Sequence, residues 1–435
     1  MTRSARSGGA GRTSKTRPVR PAARKYTGWR VLLNPLWCYW GFMAAVIVVT
    51  IFGLLMVFSS STVDVISQRK SPWGELRDQA IFCAIGIGLA LFAMHVPARL
   101  YRRAGFIILA AAWVAQALTM TRLGAAAGGN QGWIVLGSLS FQPAEFLKLA
   151  LCIWLPSGLV AAEQRRSRMR GERDEAPEGR RVSLRLRLHR MWRTWRMWLR
   201  ANWVTVLIVG VSFLLVMAGK DLGTAMVVLL ICAFAFLVSG IPMSLFLAVL
   251  VVGGVAVLGL FVFSSGNRMS RIMATYGTCT ADQAQGVCFQ SIHGNFAMGS
   301  GGLFGVGLGN SREKWNYLPA AHNDFIFAII GEELGFVGAS LLILGFVVMG
   351  WCMVGVALQC RDAYARMVIV CIGAWIVGQA LVNIAVVLGM LPVMGLPMPF
   401  VSSGGSALVM CLGAAGVTVQ MMRQQDDIRA ALVRE

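Results

Sequence analysis

Long apolar segments dominate this sequence and limit the folds that it can adopt. Of the 435 residues, 57% are hydrophobic, more than a soluble domain can bury, so lipid must solvate much of the chain. Ten windows come near the roughly 20 residues that a helix needs to cross a bilayer. They lie at residues 41–59, 78–95, 104–121, 143–162, 203–217, 222–239, 244–263, 329–356, 367–390 and 400–422. We therefore predict an all-α polytopic membrane protein with ten transmembrane helices.

The basic residues are concentrated in two segments, and their positions predict the orientation. Residues 1–30 carry nine Lys and Arg, and residues 163–200 carry thirteen Arg, together 22 of the 40 basic residues. The positive-inside rule places both segments in the cytoplasm. Ten crossings then put both termini there too, and they put the long loop 264–323, between predicted helices 7 and 8, on the outer face.

These patterns divide the chain into three parts. Residues 1–35 lack apolar periodicity and are predicted to be a disordered basic tail, residues 36–422 form the membrane domain, and residues 423–435 form a cytoplasmic tail. In the basic loop 163–202, residues 184–200 place Leu and Trp on one helical face, which is typical of an interfacial helix on the inner leaflet. A helix that packs its Trp stripe against another protein element is the alternative.

The net charge of +21 indicates an anionic partner. Such a charge could bind nucleic acid, but here it lies in a Ser-, Gly- and Pro-rich tail and in a juxtamembrane loop. At those positions the headgroups of anionic lipids are the nearer partner. We therefore expect anionic lipids, and no nucleic acid, among the partners.

Two of the ten cysteines differ from the rest. Eight lie in or beside apolar windows, where Cys packs as a small hydrophobic residue. Cys279 and Cys288 instead flank Asp282 in the predicted outer loop, in a compartment that permits disulfides. We predict a disulfide between them, and two free thiols would be the alternative.

Several charged residues lie close to the predicted membrane boundaries. Glu145 and Lys148 are three residues apart on one helical face, just after Pro143 at a helix start. Charges at this depth are expensive unless they are paired or face a polar cavity. We interpret the pair first as a structural salt bridge and second as part of a ligand cavity. Asp221, near the start of a later helix, is expected to cap it.

Two irregular motifs follow in the last third of the chain. Six glycines fall within residues 299–309, where backbone N–H groups could cradle phosphate, although tight turns are the simpler interpretation. Residues 391–406 form a Pro- and Gly-broken start of the last helix, which is tolerated at membrane depth only where protein buries it or it lines a cavity. Between these motifs, Glu332 and Glu333 are expected to be buried partners of Lys or Arg.

Four motifs in this order resemble the SEDS family (shape, elongation, division and sporulation). They occupy residues 133–149, 219–224, 299–335 and 391–406, within a similarity that spans about residues 40–422. The strings HNDFIFAIIGEELG and LPVMGLPMPFVSSGGS are similar to those of the division branch more than to those of the elongation branch. The resemblance implies a ten-helix peptidoglycan glycosyltransferase that polymerises lipid II on the outer face of the cytoplasmic membrane at the division septum. It also implies a class B penicillin-binding protein and other divisome membrane proteins as partners.

The family resemblance also implies a site. Asp282 matches an essential Asp of the family and is the expected general base, although Gln283 and residues 287–289 depart from the family pattern. The leaving pyrophosphate needs cations, supplied by Lys or Arg or by a divalent metal such as Mg²⁺ whose ligands are unknown; no organic cofactor is expected. The candidate substrate-binding residues are Trp133, Gln142, Glu145, Lys148, Arg268, Arg271, Gln290, Ser291, Lys314, His322, Asp324, Ser402 and Ser403.

Other interpretations of these residues remain open. His322 and Asp324 could form an acid–base pair or could serve a helix start. A flippase for lipid-linked precursors would show the same buried charges without needing a base. An elongation-type polymerase or a non-catalytic scaffold for the division machinery would also suit the topology.

Overall fold

A computed structural model describes residues 26, 28–67, 72–127, 130–136, 139–170, 184–257, 259, 266–277, 279, 286, 288–315 and 317–433. Most of the basic tail, residues 171–183 and Asp282 lie outside these ranges. The α-helices of the described part are α1 (Pro35–Ser67), α2 (Pro72–His95), α3 (Ala98–Leu118), α4 (Pro143–Arg170), α5 (Leu184–Ala218), α6 (Leu222–Val238), α7 (Met243–Val257), α8 (Gly266–Tyr276), α9 (Phe289–Ser300), α10 (Ile326–Ala357), α11 (Ala363–Val387), α12 (Gly405–Met422) and α13 (Asp426–Leu432).

The helices confirm a multi-pass membrane protein. Within the described residues, α1, α2, α4, α5, α10, α11 and α12 are long and apolar enough to cross a membrane, and α6 and α7 are shorter apolar helices. The remaining predicted window corresponds to α3, whose first two turns carry Arg99, Arg102 and Arg103. Each of the ten predicted windows therefore coincides with a helix, while the exact number of crossings stays a prediction.

A small antiparallel sheet adds to the predicted all-α architecture. Strands β1 (Gly124–Ala127), β2 (Asn130–Leu136) and β3 (Leu139–Phe141) pair in the order β1-β2-β3. The run Trp-Ile-Val-Leu in β2 favours a strand. It is so short, however, that its periodicity does not distinguish a strand from a piece of an apolar helix, so the sequence did not predict the sheet. β2 contacts α4 and β3 contacts α12. The sheet therefore covers the end of the bundle at which these two helices begin.

The basic segment 184–200 is the first half of α5 rather than a separate helix on the membrane surface. α5 runs for 35 residues without interruption, which corresponds to about 52 Å. Its first Gly is Gly210 and it contains no Pro, so nothing in this stretch interrupts the hydrogen-bond ladder. Trp198 is buried against Phe236, and Trp195 Nε1 donates to Ser244 Oγ at 3.0 Å. Trp195 and Trp198 therefore pack against other helices of the protein, which is the alternative to an interfacial helix considered above.

The glycine-rich segment fills a break in α10 rather than forming an open phosphate cradle. The helix is interrupted at Gly335, which has φ 65° and ψ −165°. The N–H groups of Val306 and Gly307 donate to α10 carbonyls just before the break, at 2.9 and 3.0 Å, and two N–H groups after it donate back to the segment. Only glycine permits this approach, since a Cβ on Gly305 would lie 2.2 Å from the Glu333 carbonyl oxygen. These amides are therefore occupied.

We predict that Gly305→Ala destabilises the protein much more than Gly309→Ala. Both glycines have positive φ, +81° and +80°, so both substitutions carry the conformational penalty of about 1–2 kcal/mol. Only the Gly305 variant adds a clash with the α10 backbone, because nothing lies within 4 Å of a Cβ on Gly309. Thermal unfolding of the purified variants in detergent measures the difference. Equal losses of stability would contradict the packing described here.

Candidate active site

The α11–α12 linker, residues 388–404, is the centre of the polar cluster at one end of the bundle. Its backbone is irregular, with positive φ at Gly395 and Phe400, so its carbonyls need partners from elsewhere. Two side chains of α11 supply them. Gln379 Nε2 donates to the Pro397 carbonyl and Asn383 Nδ2 donates to the Leu396 carbonyl, both at 2.7 Å. The linker is thereby fixed against α11.

Glu145 and Lys148 form a buried ion pair beside the linker. Lys148 Nζ lies 2.8 Å from Glu145 Oε1 and 2.8 Å from Gln379 Oε1, and it stands 5.0 Å from the ring centroid of Trp375. Both charged side chains are at most 1% exposed, so removing one partner would cost about 3–5 kcal/mol. The predicted salt bridge is confirmed. Glu145 Oε2 is buried and has no hydrogen-bond partner among the described residues.

Asp221 brings the starts of two helices together. It caps α6 as predicted, since Oδ1 accepts from the Thr224 N–H at 2.9 Å and Oδ2 accepts from the Thr224 hydroxyl at 2.8 Å. Gln142, immediately before α4, donates from Nε2 to Asp221 Oδ2 at 3.3 Å, and its N–H donates to Ser406 Oγ in α12 at 3.3 Å. The N-termini of α4, α6 and α12 therefore meet, and their dipoles favour an anion at this point.

Asp324 lies against the linker, within the polar cluster. Its backbone carbonyl accepts from Asn383 Nδ2 at 2.8 Å, and its Oδ2 would lie 3.5 Å from a Cβ on Gly395. Burial raises the pKa of Asp324 to about 6, Arg271 opposes this rise, and Asp221 adds to it. Its Oδ1 has no hydrogen-bond partner in the part of the chain that the structure describes.

The serines of the linker hold the residues around Asp324 in place. Ser402 Oγ donates to the Asn323 carbonyl at 2.8 Å, and the Ser403 N–H donates to the His322 carbonyl at 2.9 Å. These bonds use backbone atoms, so they fix the chain path of the segment before α10. The N-cap residue of α10 is Phe325, which offers no side-chain hydrogen bond. The acid–base pairing of His322 with Asp324 stays a prediction.

Helix α8, in the predicted outer loop, docks on the same linker. Arg271 Nη1 donates to the Val393 carbonyl at 3.3 Å, and the Tyr276 hydroxyl donates to the Met390 carbonyl at 2.8 Å. Arg271 is thus one cation that the structure brings to the linker and to Asp324. Arg268 belongs to the same helix, but its side chain lies outside the described residues.

The predicted disulfide is confirmed. Cys279 and Cys288 are bonded, with their Cα atoms 6.4 Å apart, and the eight other cysteines are free and buried. The disulfide joins the segment after α8 to the residue that precedes α9. Asp282 falls between the two cysteines in sequence but outside the described residues, so its predicted role as a base stays a prediction.

Helix α9 is fixed to the segment that follows the glycine-rich residues. Gln290 Nε2 donates to the Pro319 carbonyl at 3.0 Å, while Ser291 is half-buried on the same helix. His293 Nδ1 lies 2.6 Å from Glu313 Oε2, and its ring lies 4.2 Å from that of Phe289. Because a carboxylate only accepts, His293 donates through Nδ1. This pair holds α9 beside the disulfide.

Lys314 forms an ion pair with helix α10, so its charge is not free to bind a substrate. Its Nζ lies 2.8 Å from Glu333 Oε1, in a pair whose side chains are at most 3% exposed. Ser59 of α1 donates to the other oxygen of Glu333 at 2.6 Å. The neighbouring Glu332 accepts from the Ser311 hydroxyl at 2.5 Å. Glu333 is the buried partner of a lysine, as predicted, and the Lys314 charge is already neutralised. Glu332 is also buried, but it accepts from the Ser311 hydroxyl and the Arg312 backbone N–H rather than from the side chain of a Lys or Arg among the described residues.

The structure assigns roles to residues that the motifs did not single out. Gln379 and Asn383 are polar residues four apart in an apolar membrane helix, a pattern that marks a polar surface facing protein. Asp221 was expected only as a cap, yet it also orients Gln142. By contrast, Trp133 is half-buried on β2, in the sheet rather than at the linker.

The assembled cluster suits a ligand that carries both an anionic group and hydroxyls. Converging helix N-termini and Arg271 can stabilise negative charge. Free oxygens of Glu145 and Asp324 can accept hydrogen bonds from hydroxyls. Among the described residues, no group of three His, Cys, Asp or Glu side chains is placed to hold a metal ion.

Known relatives match nearly the whole chain. The model of the cell cycle protein family of FtsW, RodA and SpoVE matches residues 39–427. "Probable peptidoglycan glycosyltransferase FtsW" of Mycobacterium tuberculosis is 32% identical over 417 residues, which cover 95% of this chain and 72% of the relative. Stage V sporulation protein E of Bacillus subtilis is 33% identical, over 85% of this chain and 93% of the relative.

Solved structures share the fold. The crystal structure of the rod shape determining protein RodA of Thermus thermophilus aligns with a TM-score of 0.60 at 25% identity, over 89% of this chain and 97% of RodA. A chain from a peptidoglycan synthase complex, described as coordinating polymerization and crosslinking, aligns with a TM-score of 0.66 at 22% identity, over 89% and 98% of the two chains. The second likeness establishes the fold alone.

We predict a pH-dependent contribution of Asp324 to stability. Because its folded pKa is raised to about 6 from an ordinary value of 3.8, the folded protein holds a proton between these values that the unfolded chain releases. This contribution is therefore lost as pH rises from about 4 through about 6. The stability of Asp324→Asn relative to the unsubstituted protein should increase over that window in thermal unfolding. A difference that stays constant from about pH 4.5 to about pH 7.5 would contradict the assignment.

Proposed function

The chain belongs to the cell cycle protein family of FtsW, RodA and SpoVE, and on this premise we propose that it is a peptidoglycan glycosyltransferase that polymerises lipid II. The observation that carries the proposal is the polar cluster around the α11–α12 linker, in a chain whose family match covers residues 39–427. It places anion-stabilising groups at one end of a membrane bundle. Relatives over 30% identical bear the name peptidoglycan glycosyltransferase.

The reaction joins an acceptor sugar to a donor sugar that is attached to a lipid pyrophosphate. The acceptor hydroxyl attacks the anomeric carbon, the bond from that carbon to the pyrophosphate oxygen breaks, and the hydroxyl proton passes to a base. Asp282 is the proposed base, a role that typically contributes about 10²- to 10⁴-fold. The Cys279–Cys288 disulfide supports the proposal because it limits the separation of the two ends of the segment that contains Asp282.

The leaving pyrophosphate requires positive charge. Arg271 is proposed to supply it together with the N-termini of α4, α6 and α12, which gain strength where water is excluded. Lys148 contributes less, because Glu145 already neutralises it. A divalent cation, Mg²⁺ in the first instance, is proposed to accompany the substrate, since Mg²⁺ is usually bound through one or two carboxylates and the phosphates of a substrate.

The orientation and partners follow from the same proposal. Basic segments at residues 1–30 and 163–200 support cytoplasmic termini under the positive-inside rule, with the linker and the outer loop on the opposite face. Action at the division septum is supported by the name FtsW among relatives. A class B penicillin-binding protein is the proposed partner, because a related fold occurs in a complex that coordinates polymerization and crosslinking; other divisome membrane proteins are expected beside it.

We predict that Asp282→Asn abolishes polymerisation of labelled lipid II by the purified protein with its transpeptidase partner. The substitution removes a base and keeps the size of the side chain, so folding should be unchanged. Asp78→Asn is the matched control, because Asp78 is exposed and pairs only with exposed Arg77 among the described residues. Glycan products resolved on gels provide the measurement. Polymer formation by Asp282→Asn at the unsubstituted rate would favour a flippase or a scaffold instead.

We further predict that polymerisation depends on a divalent cation. Chelation with EDTA should reduce the rate by at least about tenfold if the ion offsets charge on the leaving pyrophosphate. Added Mg²⁺ should restore the rate, whereas Na⁺ at the same ionic strength should not. The measurement is the initial rate of glycan synthesis before and after each addition. A rate that EDTA leaves unchanged would assign the whole charge stabilisation to protein groups.

A further inference from the structure

A cavity lies at the opposite end of the bundle from the α11–α12 linker. It measures about 150 Å³, is partly open, and is lined by the end of α4, the first half of α5 and the turn between α6 and α7. Its lining residues are Arg166, Thr194, Met197, Trp198, Gly240 and Pro242. Arg166 follows Glu145 by 21 residues on α4, which corresponds to about 31 Å along the helix. The cavity is therefore separate from the proposed active site.

Arg166 gives the cavity an unused donor. Its Nη1 donates to the Gly240 carbonyl at 2.9 Å, and its Nη2 pairs with Glu163 Oε2 at 2.8 Å. Its Nε is buried and has no hydrogen-bond partner in the described parts of the chain. Glu163 is half exposed, so water shares its charge. A buried N–H without an acceptor is unfavourable, and because the Arg166 side chain lines the cavity, a shift of its guanidinium would offer this donor to an acceptor there.

Two further arginines stand at the mouth of the cavity. Arg190 and Arg193 precede Thr194 and Met197 by four residues each, which places them on the same helical face one turn further out. Both are exposed, and α5 contains no acidic residue. Positive charge at the mouth and a free donor in the wall together select an anion.

The rest of the wall and its surroundings are apolar. Met197, Pro242 and Trp198, which is 3% exposed, form one side of the cavity. Next to it on α7, Met243 and Leu247 are 60% and 51% exposed. Beyond Arg200 the sequence of α5 turns from basic to apolar, so the cavity lies where lipid headgroups meet acyl chains. A ligand that is anionic at one end and apolar at the other fits both surfaces.

We propose that this cavity binds the phosphate headgroup of an anionic phospholipid. The phosphate oxygens accept from the Arg166 guanidinium and from the arginines at the mouth, and the acyl chains lie along α7. This site is independent of glycan polymerisation and requires only the multi-pass architecture. The proposed site locates the expected binding of anionic lipids at one cavity, rather than spreading it over the whole basic surface.

Thermal unfolding of the full chain in a nonionic detergent tests the site. Phosphatidylglycerol should raise Tm by roughly 4 °C or more near saturation, whereas phosphatidylcholine and inorganic phosphate should have little effect. Arg190→Gln with Arg193→Gln should weaken the dependence on phosphatidylglycerol by about tenfold or more. The matched control is Arg185→Gln with Arg187→Gln, which makes the same change in charge further from the cavity and should keep the full shift. Rim arginines are chosen because Arg166 also bonds Gly240 and its loss could affect folding.

Several results would overturn the proposal. Equal weakening by the two double variants would indicate attraction to the whole basic helix rather than a site. An equal shift with inorganic phosphate would indicate a free-anion site, and an equal shift with phosphatidylcholine would indicate apolar binding alone. Absence of any shift with phosphatidylglycerol would also overturn it. None of these measurements depends on polymerase activity, so they stand whether or not Asp282 acts as a base.

Discussion

The need to satisfy broken backbone at membrane depth governs the arrangement of this protein. Where a helix is interrupted, its N–H and C=O groups lose their partners, and hydrocarbon offers none. The break at Gly335 is filled by the glycine-rich segment, and the α11–α12 linker is held by Gln379 and Asn383. Each set of hydrogen bonds brings a distant part of the chain to the same end of the bundle. Together these hydrogen bonds assemble the polar cluster.

Buried charges reinforce the same two places. Lys148 with Glu145 lies beside the linker, and Lys314 with Glu333 lies beside the break in α10. Such pairs add little net stability, because the cost of removing both ions from water offsets their attraction. Losing one member is costly, however, so each pair strongly disfavours any packing that separates its partners. We infer that their main contribution is to select one arrangement of helices.

Features that depend on nearby residues in the sequence could be predicted, whereas contacts between distant parts of the chain could not. Membrane windows, the Glu145–Lys148 pair, the Asp221 cap and the Cys279–Cys288 disulfide depend on neighbours within about ten residues in sequence. The partner of Lys314 could not be predicted, since several acids were available and only the tertiary fold selects Glu333. The small sheet was hidden because short apolar runs lack a distinctive period. The continuity of α5 was hidden because the change from basic to apolar residues after Arg200 indicates two environments but does not end a helix.

The uninterrupted course of α5 has a mechanical consequence. A helix without Pro or a break resists bending, so a displacement of its basic end is carried along the axis to Ala218. Only Gly219 and Lys220 separate that end from Asp221, which caps α6 and accepts from Gln142. Lys220 adopts a left-handed backbone conformation, with φ 62°, and forms a tight corner rather than a slack loop. Helix α5 is thus a rigid connection between its basic end and the polar cluster at the other end of the bundle.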